Sequence, residues 1–341
     1  MLPRKDAFIR FDYLIKDEEV LSDMNDSVKK STPLTEQEQL NQFRLLAATY
    51  HLELDPSKPL ELNDSGLDFL AASARTADDA SWILRIPRRP DVIQSAAYEA
   101  KVLELVGRSL PVAVPGWQIN WPDFIAYRKL PGTPAATIDP AVMAYTWHID
   151  PEAPSPEFVQ SLAAAMAALH RIDGPTAEQA GLMAVEAGDL RAVAAARMEV
   201  VRQAFGVSDE LWERWQAWLA DASYWPEHTS LIHGDLHPGH ILVDENERVC
   251  GLLDWTEAEC GDPATDFTAF YTVFGEEALS VLLEEYEKAG GRVWPRMKEH
   301  IAQLQGAYAV TIGLFALKSG LEEYADMARD ALGVPVHKSA D

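Results

Sequence analysis

Apolar positions along this chain keep one spacing through its first third and another through the remainder. Residues 60–74 and 81–86 alternate apolar with polar side chains, as strands do, and the first stretch turns at Ser65-Gly66 into a hairpin. Residues 111–120 and 123–128 read as two further strands, giving five for an antiparallel sheet. Two helices interleave with them. Leu40, Phe43, Leu46, Ala47 and Tyr50 recur at helical spacing behind Thr35, which with Glu38 three residues on predicts a capping box. Tyr98, Val102, Leu105 and Val106 mark the second helix, over 95–106, after Pro87 and Pro90 end the preceding strand. Lys129-Leu130-Pro131-Gly132 is a turn, and beyond it the pattern becomes helical. Ser155-Pro156 opens a helix with a capping hydroxyl and a first-turn proline; it runs through Phe158, Leu162, Ala165, Met166 and Leu169. Residues 190–205 and 210–219 are amphipathic helices, and others start near Glu276, Trp294 and Leu321.

One stretch departs from this pattern. His233-Gly234-Asp235-Leu236-His237-Pro238-Gly239-His240 leads into the apolar run Ile241 to Val243, and a second apolar run, Val249 to Leu253, ends at Asp254. Two short strands paired as a hairpin would carry His233, Asp235, His240 and Asp254 to one place at their ends. Phosphoryl transfer needs such a set: one carboxylate orients a hydroxyl and accepts its proton, and others hold the magnesium that neutralises a triphosphate.

Bulk properties narrow the field. The 341 residues suit two packed lobes better than one core. No apolar run approaches the roughly 20 residues of a membrane span, and the first 13 residues lack the apolar core of a signal peptide. The two cysteines, Cys250 and Cys260, make no disulfide framework or metal knuckle. The cytoplasm is the expected compartment. A formal charge of −25 repels nucleic acid and anionic membranes and attracts a cationic small molecule, although an acidic surface also simply aids solubility. Residues 1–34, charge-rich and irregular, read as an N-terminal extension.

The two carboxylate elements resemble the catalytic loop and metal-binding Asp of kinase-fold antibiotic phosphotransferases, and within them the macrolide 2′-phosphotransferases. His240 stands five residues after Asp235, where kinases usually carry Asn and macrolide phosphotransferases carry His. Trp82-Ile83-Leu84-Arg85-Ile86-Pro87-Arg88-Arg89 and Gly290-Gly291-Arg292-Val293-Trp294-Pro295 also resemble that family, and the likeness runs from about Glu36 to about Leu332. A protein kinase fits less well, because Trp255 and Thr256 stand where the Phe and Gly of its Asp-Phe-Gly triplet would be. The resemblance implies an α+β, bilobal protein-kinase-like fold. Its small lobe, 35–128, would hold a five-stranded antiparallel sheet plus helices, and its large lobe, 129–341, would be mostly α-helical.

It also implies the activity: transfer of the γ-phosphate of GTP, or of ATP, with Mg2+, to the 2′-hydroxyl of a macrolide's amino sugar. The partners are then a macrolide and a nucleoside triphosphate, with no nucleic acid and no membrane, and a monomer is expected. The alternatives are another small alcohol, such as an aminoglycoside, or a kinase-like module that binds without catalysis. Asp235 is the residue expected to orient the acceptor hydroxyl; with a carboxylate pKa near 4 it would act mainly by position and charge. Asp254 and His240 are the expected metal ligands, His240 either directly or through a metal-bound water or a phosphate oxygen. His233 and Asp266 would steady the catalytic loop.

For the nucleotide the resemblance implies Arg85 in place of the kinase strand lysine, paired with Glu99 on the next helix. Ser65 at the hairpin tip would lie over the phosphates, and Tyr127, Arg128 and Leu130 would meet the purine at the hinge. A plain hairpin tip and a solvated Glu99 are the structural alternatives. Tyr271, Phe274, Tyr308 and Phe315 are candidates to line a broad apolar acceptor pocket, or else they are core. His170 and the trio Trp212, Trp215 and Trp218 read as packing residues.

Overall fold

The computed structural model describes residues 34–64, 66, 68–139 and 144–334. The expected extension, apart from Leu34, and the turn residue Ser65 lie outside the described residues. Helix α1 (Glu36–Thr49) begins on a complete capping box: Thr35 Oγ1 accepts the Glu38 N–H at 3.3 Å, and Glu38 Oε2 accepts the Thr35 N–H at 2.8 Å.

A five-stranded antiparallel sheet follows, made of β1 (Glu61–Asn63), β2 (Phe69–Arg75), β3 (Ser81–Pro87), β4 (Trp117–Trp121) and β5 (Phe124–Arg128), in the order β1-β2-β3-β5-β4. Alternation along β3 sorts its side chains between two faces. Trp82, Leu84 and Ile86 are buried with Phe43 and Ala47 of α1. Arg85 takes the other face, where Phe69, Ile125 and Tyr127 pack against Val92 and Ala96 of α2 (Pro90–Ser109). Two expectations need correcting here. Pro90 does not merely stop the strand; it is the first residue of α2, whose fixed φ suits a helix start. Residues 111–116 join no strand of this sheet. Pro111 and Pro115 lack donors for a ladder, and Ala113 instead exchanges backbone hydrogen bonds with Cys250 and Leu252 at 2.9 Å each.

The rest is mainly helical, with short strands framing the loops of interest. Helix α3 (Pro156–Leu169), capped by Ser155, is buried on nearly every side. It packs on α7 (Thr268–Lys288), whose regular backbone breaks at Gly275. Helix α4 is Gly174–Gln179. Helices α5 (Leu190–Phe205), α6 (Asp209–Ala220), α9 (Tyr308–Ser319) and α10 (Glu322–Ala331) enclose Trp215 and Trp218 in a separate cluster, and α8 (Met297–Gly306) completes the set. Strands β6 (Thr133–Pro134), β10 (Ile241–Val243) and β11 (Val249–Leu252) form one sheet, and β9 (Ser230–Ile232) pairs with β12 (Glu259–Gly261).

A hairpin of β7 (Ala136–Asp139) and β8 (Ala144–Trp147) stands where the sequence pattern suggested the start of the helical region. Among the described residues no single helix is long and apolar enough to cross a membrane. The architecture is the kinase-like α+β fold expected from the sequence.

Candidate active site

The loop after β9 and the loop after β11 meet because their strands' ends are tied together. Leu253 N–H donates to the His240 carbonyl at 2.9 Å, so the residue before Asp254 is pinned to the last residue of the 3-10 turn Pro238–His240. Buried Asp266 holds the first loop from beneath. Its carboxylate accepts the N–H of His233 and of Gly234, both at 2.9 Å, and lies 3.0 Å from His170 Nε2. Burial raises the Asp266 pKa, but the hydrogen bond and charge of His170, with His233, outweigh it and leave the carboxyl below its usual range. His170 is therefore a structural link; its other nitrogen meets Tyr286 Oη at 2.9 Å.

The same accounting fixes His233. Its Nε2 lies 2.8 Å from the Leu253 carbonyl, which only accepts, so Nε2 carries the hydrogen and Nδ1 receives the Asp235 N–H at 3.3 Å. Burial keeps this ring neutral by lowering its pKa. Gly234, at φ +81°, is required by a close approach: a Cβ there would stand 2.3 Å from the Glu257 carbonyl oxygen.

Asp235 is thus presented at the cleft with half its side chain exposed, 50%. Its backbone carbonyl accepts the His237 N–H at 3.0 Å and lies 3.0 Å from His240 Nδ1. Nδ1 must donate there, which leaves the lone pair of His240 on Nε2. That nitrogen points toward Asp254 Oδ2 at 3.9 Å, too far for a hydrogen bond. A carboxylate oxygen and an imidazole lone pair facing across this gap are a donor set that fits a divalent cation.

Asp254 sits in the left-handed region at φ +54°. Burial raises its pKa, but His240 when its ring is protonated, Arg85 and the hydrogen bonds from Thr256 prevail and hold it at about 2. The carboxylate is therefore charged at any working pH. His237, not singled out from the sequence, offers a ligand atom within 4.8 Å of those of Asp235 and His240. Burial, with His240 nearby, pushes its pKa down to about 4.

On the sheet side of the cleft, Arg85 lies 3.5 Å from Glu99 and stacks over Phe69, 3.8 Å from the ring centroid. Glu99 is only 1% exposed and also receives the Trp255 N–H at 3.4 Å, so it joins sheet, helix α2 and the Asp254 loop. Burial drives its pKa up to about 7 against the pull of Arg85. Tyr127 shares this face: burial, offset in part by Arg85 and reinforced by Glu99 and Asp254, raises its phenol to about 12. Arg128 turns the other way, over Trp82 and 3.6 Å from Asp78. Its N–H is taken by Gln118 Oε1 at 3.0 Å, and that of Lys129 by the Ser81 carbonyl at 2.9 Å. Leu130 contributes a side chain beside Gly251, 3.5 Å from where a Cβ would stand.

The aromatic candidates separate. Phe274 joins a row with Trp147 (6.1 Å between centroids) and, through it, Tyr145 (5.0 Å), while also packing on Phe158 and Phe270. Tyr271 packs partly buried against the same core. Tyr308, largely exposed, starts α9; Phe315 two turns later meets Tyr324 edge-on, 4.7 Å between ring centroids. Desolvation raises the phenols of Tyr145 and Tyr308, and in both the negative charge of Asp235 adds to the rise. Tyr145 was invisible in the sequence, because the carboxylate whose charge reaches it lies 90 residues further along the chain.

A cleft with these carboxylates on a kinase-like frame defines a phosphotransferase, and the chain belongs to the Phosphotransferase enzyme family, which it matches over residues 59–300. Among solved structures it is similar to macrolide 2′-phosphotransferase MphH from Brachybacterium faecium: 37% identical, covering 88% of this chain and 100% of that one, with a TM-score of 0.80. It is likewise similar to macrolide 2′-phosphotransferase type I, at 40% identity, 90% and 100% coverage and a TM-score of 0.81. The uncharacterized protein YcbJ of Bacillus subtilis (strain 168) is 45% identical over 303 residues, 89% of this chain and 99% of its own.

Proposed function

We propose that this protein transfers the γ-phosphoryl group of GTP, or of ATP, to the 2′-hydroxyl of the amino sugar of a macrolide, and so inactivates the drug. The observation that carries the acceptor class is the aromatic wall beside Asp235. Tyr145 packs on Trp147 of the β7–β8 hairpin and Trp147 on Phe274 of α7, and the phenols of Tyr145 and of Tyr308 on α9 lie within the field of the half-exposed Asp235. A bulky apolar ring carrying one protonated amine suits aromatic faces near a carboxylate. The similarity to MphH and to macrolide 2′-phosphotransferase type I points the same way.

In this reading the lobes are 35–128 and 129–341, and the nucleotide lies between them. Arg85, positioned by Glu99, contacts phosphate with a fork that Lys lacks. The purine meets the hinge through the carbonyl groups of 127–130 and the Leu130 N–H, since the donors of Arg128 and Lys129 are already engaged. A magnesium ion held by Asp254 and His240 would supply positive charge to the β- and γ-phosphates. Asp235 accepts the hydrogen bond of the acceptor hydroxyl, aligns its lone pair with the phosphorus and receives its proton as the bond forms. Tyr145 and Tyr308 flank that hydroxyl and exclude water. The enzyme works as a cytoplasmic monomer, where nucleoside triphosphates are supplied.

The test uses purified protein with one macrolide and GTP or ATP. Macrolide-dependent nucleotide turnover, a phosphorylated drug by mass and loss of its antibacterial activity are expected. Asp235→Asn should lower turnover ~10²–10⁴-fold while nucleotide affinity stays nearly unchanged. Equal turnover in the variant, or turnover indifferent to the macrolide, would refute the proposal.

A further inference from the structure

The two oxygens of Asp254 are not equivalent. Oδ1 receives the Thr256 hydroxyl at 2.8 Å and the Thr256 N–H at 3.3 Å, while Oδ2 is turned toward His240. Asp254 holds a left-handed backbone, a sparsely populated conformation that persists where the surrounding structure fixes it. Thr256 is placed to do so. The turn that carries it is anchored through the Trp255 N–H on Glu99, and Glu99 is anchored by Arg85. The Thr256 hydroxyl has a single proton and two acceptors within reach, Asp254 Oδ1 at 2.8 Å and Glu99 Oε2 at 3.5 Å; the shorter bond takes it.

We propose that Thr256 is a positioning residue, resting on the phosphotransferase reading above: its hydroxyl occupies one oxygen of Asp254 so that the other is presented, in one orientation, to the cation shared with His240. Without the hydroxyl the carboxylate can rotate about its last torsion, its two oxygens exchange places, and the cation meets a spread of donor positions instead of one. The backbone N–H alone, at 3.3 Å, is the weaker of the two restraints. Outer contacts of this kind commonly carry one to two decades of metal affinity.

The experiment titrates Mn2+, which takes magnesium's place and is visible by electron paramagnetic resonance, into protein loaded with a non-hydrolysable GTP or ATP analogue and no acceptor. Thr256→Val keeps the branched shape and should weaken Mn2+ binding ~10–100-fold. Thr256→Ser, which restores the hydroxyl, should stay close to wild type, and Asp254→Asn sets the floor. The metal-free proteins should melt alike. Equal Mn2+ affinity in wild type and Thr256→Val would overturn the assignment, as would loss in both the Val and Ser variants accompanied by a lowered melting point. If wild type itself binds no Mn2+ with either analogue, the phosphotransferase reading fails instead.

Discussion

Gly234 is where backbone conformation and close packing coincide. A side chain there would be strained by the positive φ and would strike the Glu257 carbonyl, so the Asp235 loop and the Asp254 loop approach one another only over a glycine. Gly234→Ala is expected to cost at least ~1–3 kcal/mol in urea unfolding and to depress turnover with it; unchanged stability would show that the loop relaxes freely. Asp266 offers a pH-dependent counterpart. Its folded pKa is held below the usual value near 4. Its contribution is therefore complete above about pH 4 and is lost as pH falls toward the lower folded value. Asp266→Asn should lose ~3–5 kcal/mol near neutrality, because one amide cannot accept what two carboxylate oxygens do, and the gap to wild type should shrink in acid. Urea midpoints measured from pH 3 to 7 check this, and parallel curves would contradict it. At this scale the sequence was most readable where chemistry is consecutive: His233, Asp235, His240 and Asp254 lie on two short loops. Thr256, Tyr145 and His237 carried no such mark, since their meaning comes from which atoms they reach.

Among the elements, those defined by local rules were legible in the chain. The capping box at Thr35, the Ser155-Pro156 start and the alternation in β3 each follow from a few neighbouring residues. Elements defined by distant partners were not. The β-branched residues of 111–116 suggested a strand, but two prolines leave a ladder impossible and the segment finds β11 instead. Strands β7 and β8 are short, and their pairing, Ala136 with Trp147 through Asp139 with Ala144, is announced by no strong turn signal. That hairpin carries Tyr145, which the proposed function sets in the acceptor wall. Tyr145→Ala should raise the macrolide KM about tenfold, as fits an aromatic contact worth ~0.5–1.5 kcal/mol beyond its area, and leave nucleotide affinity alone. A nucleotide KM that rises in parallel would place the hairpin's role elsewhere.

The molecule as a whole carries a formal charge of −25, and its two proposed substrates have opposite signs. A macrolide with a protonated amine is drawn toward the protein; a nucleoside triphosphate, still negative with magnesium bound, is repelled until Arg85 and the metal site engage it. Salt shortens the reach of both effects, from a Debye length of about 30 Å at 0.01 M to about 10 Å at 0.1 M. Raising ionic strength should therefore lower kcat/KM for the macrolide and raise it for the nucleotide, each by several-fold. Opposite slopes separate this field effect from a general action of salt on the fold, which would move both the same way. Initial rates with each substrate varied in turn, from about 0.02 to about 0.5 M potassium chloride, measure the slopes. Two slopes of one sign would mean that the charge serves solubility alone and that substrate capture is decided inside the cleft, by Asp235 and its aromatic neighbours for the drug and by Arg85, Asp254 and His240 for the phosphates.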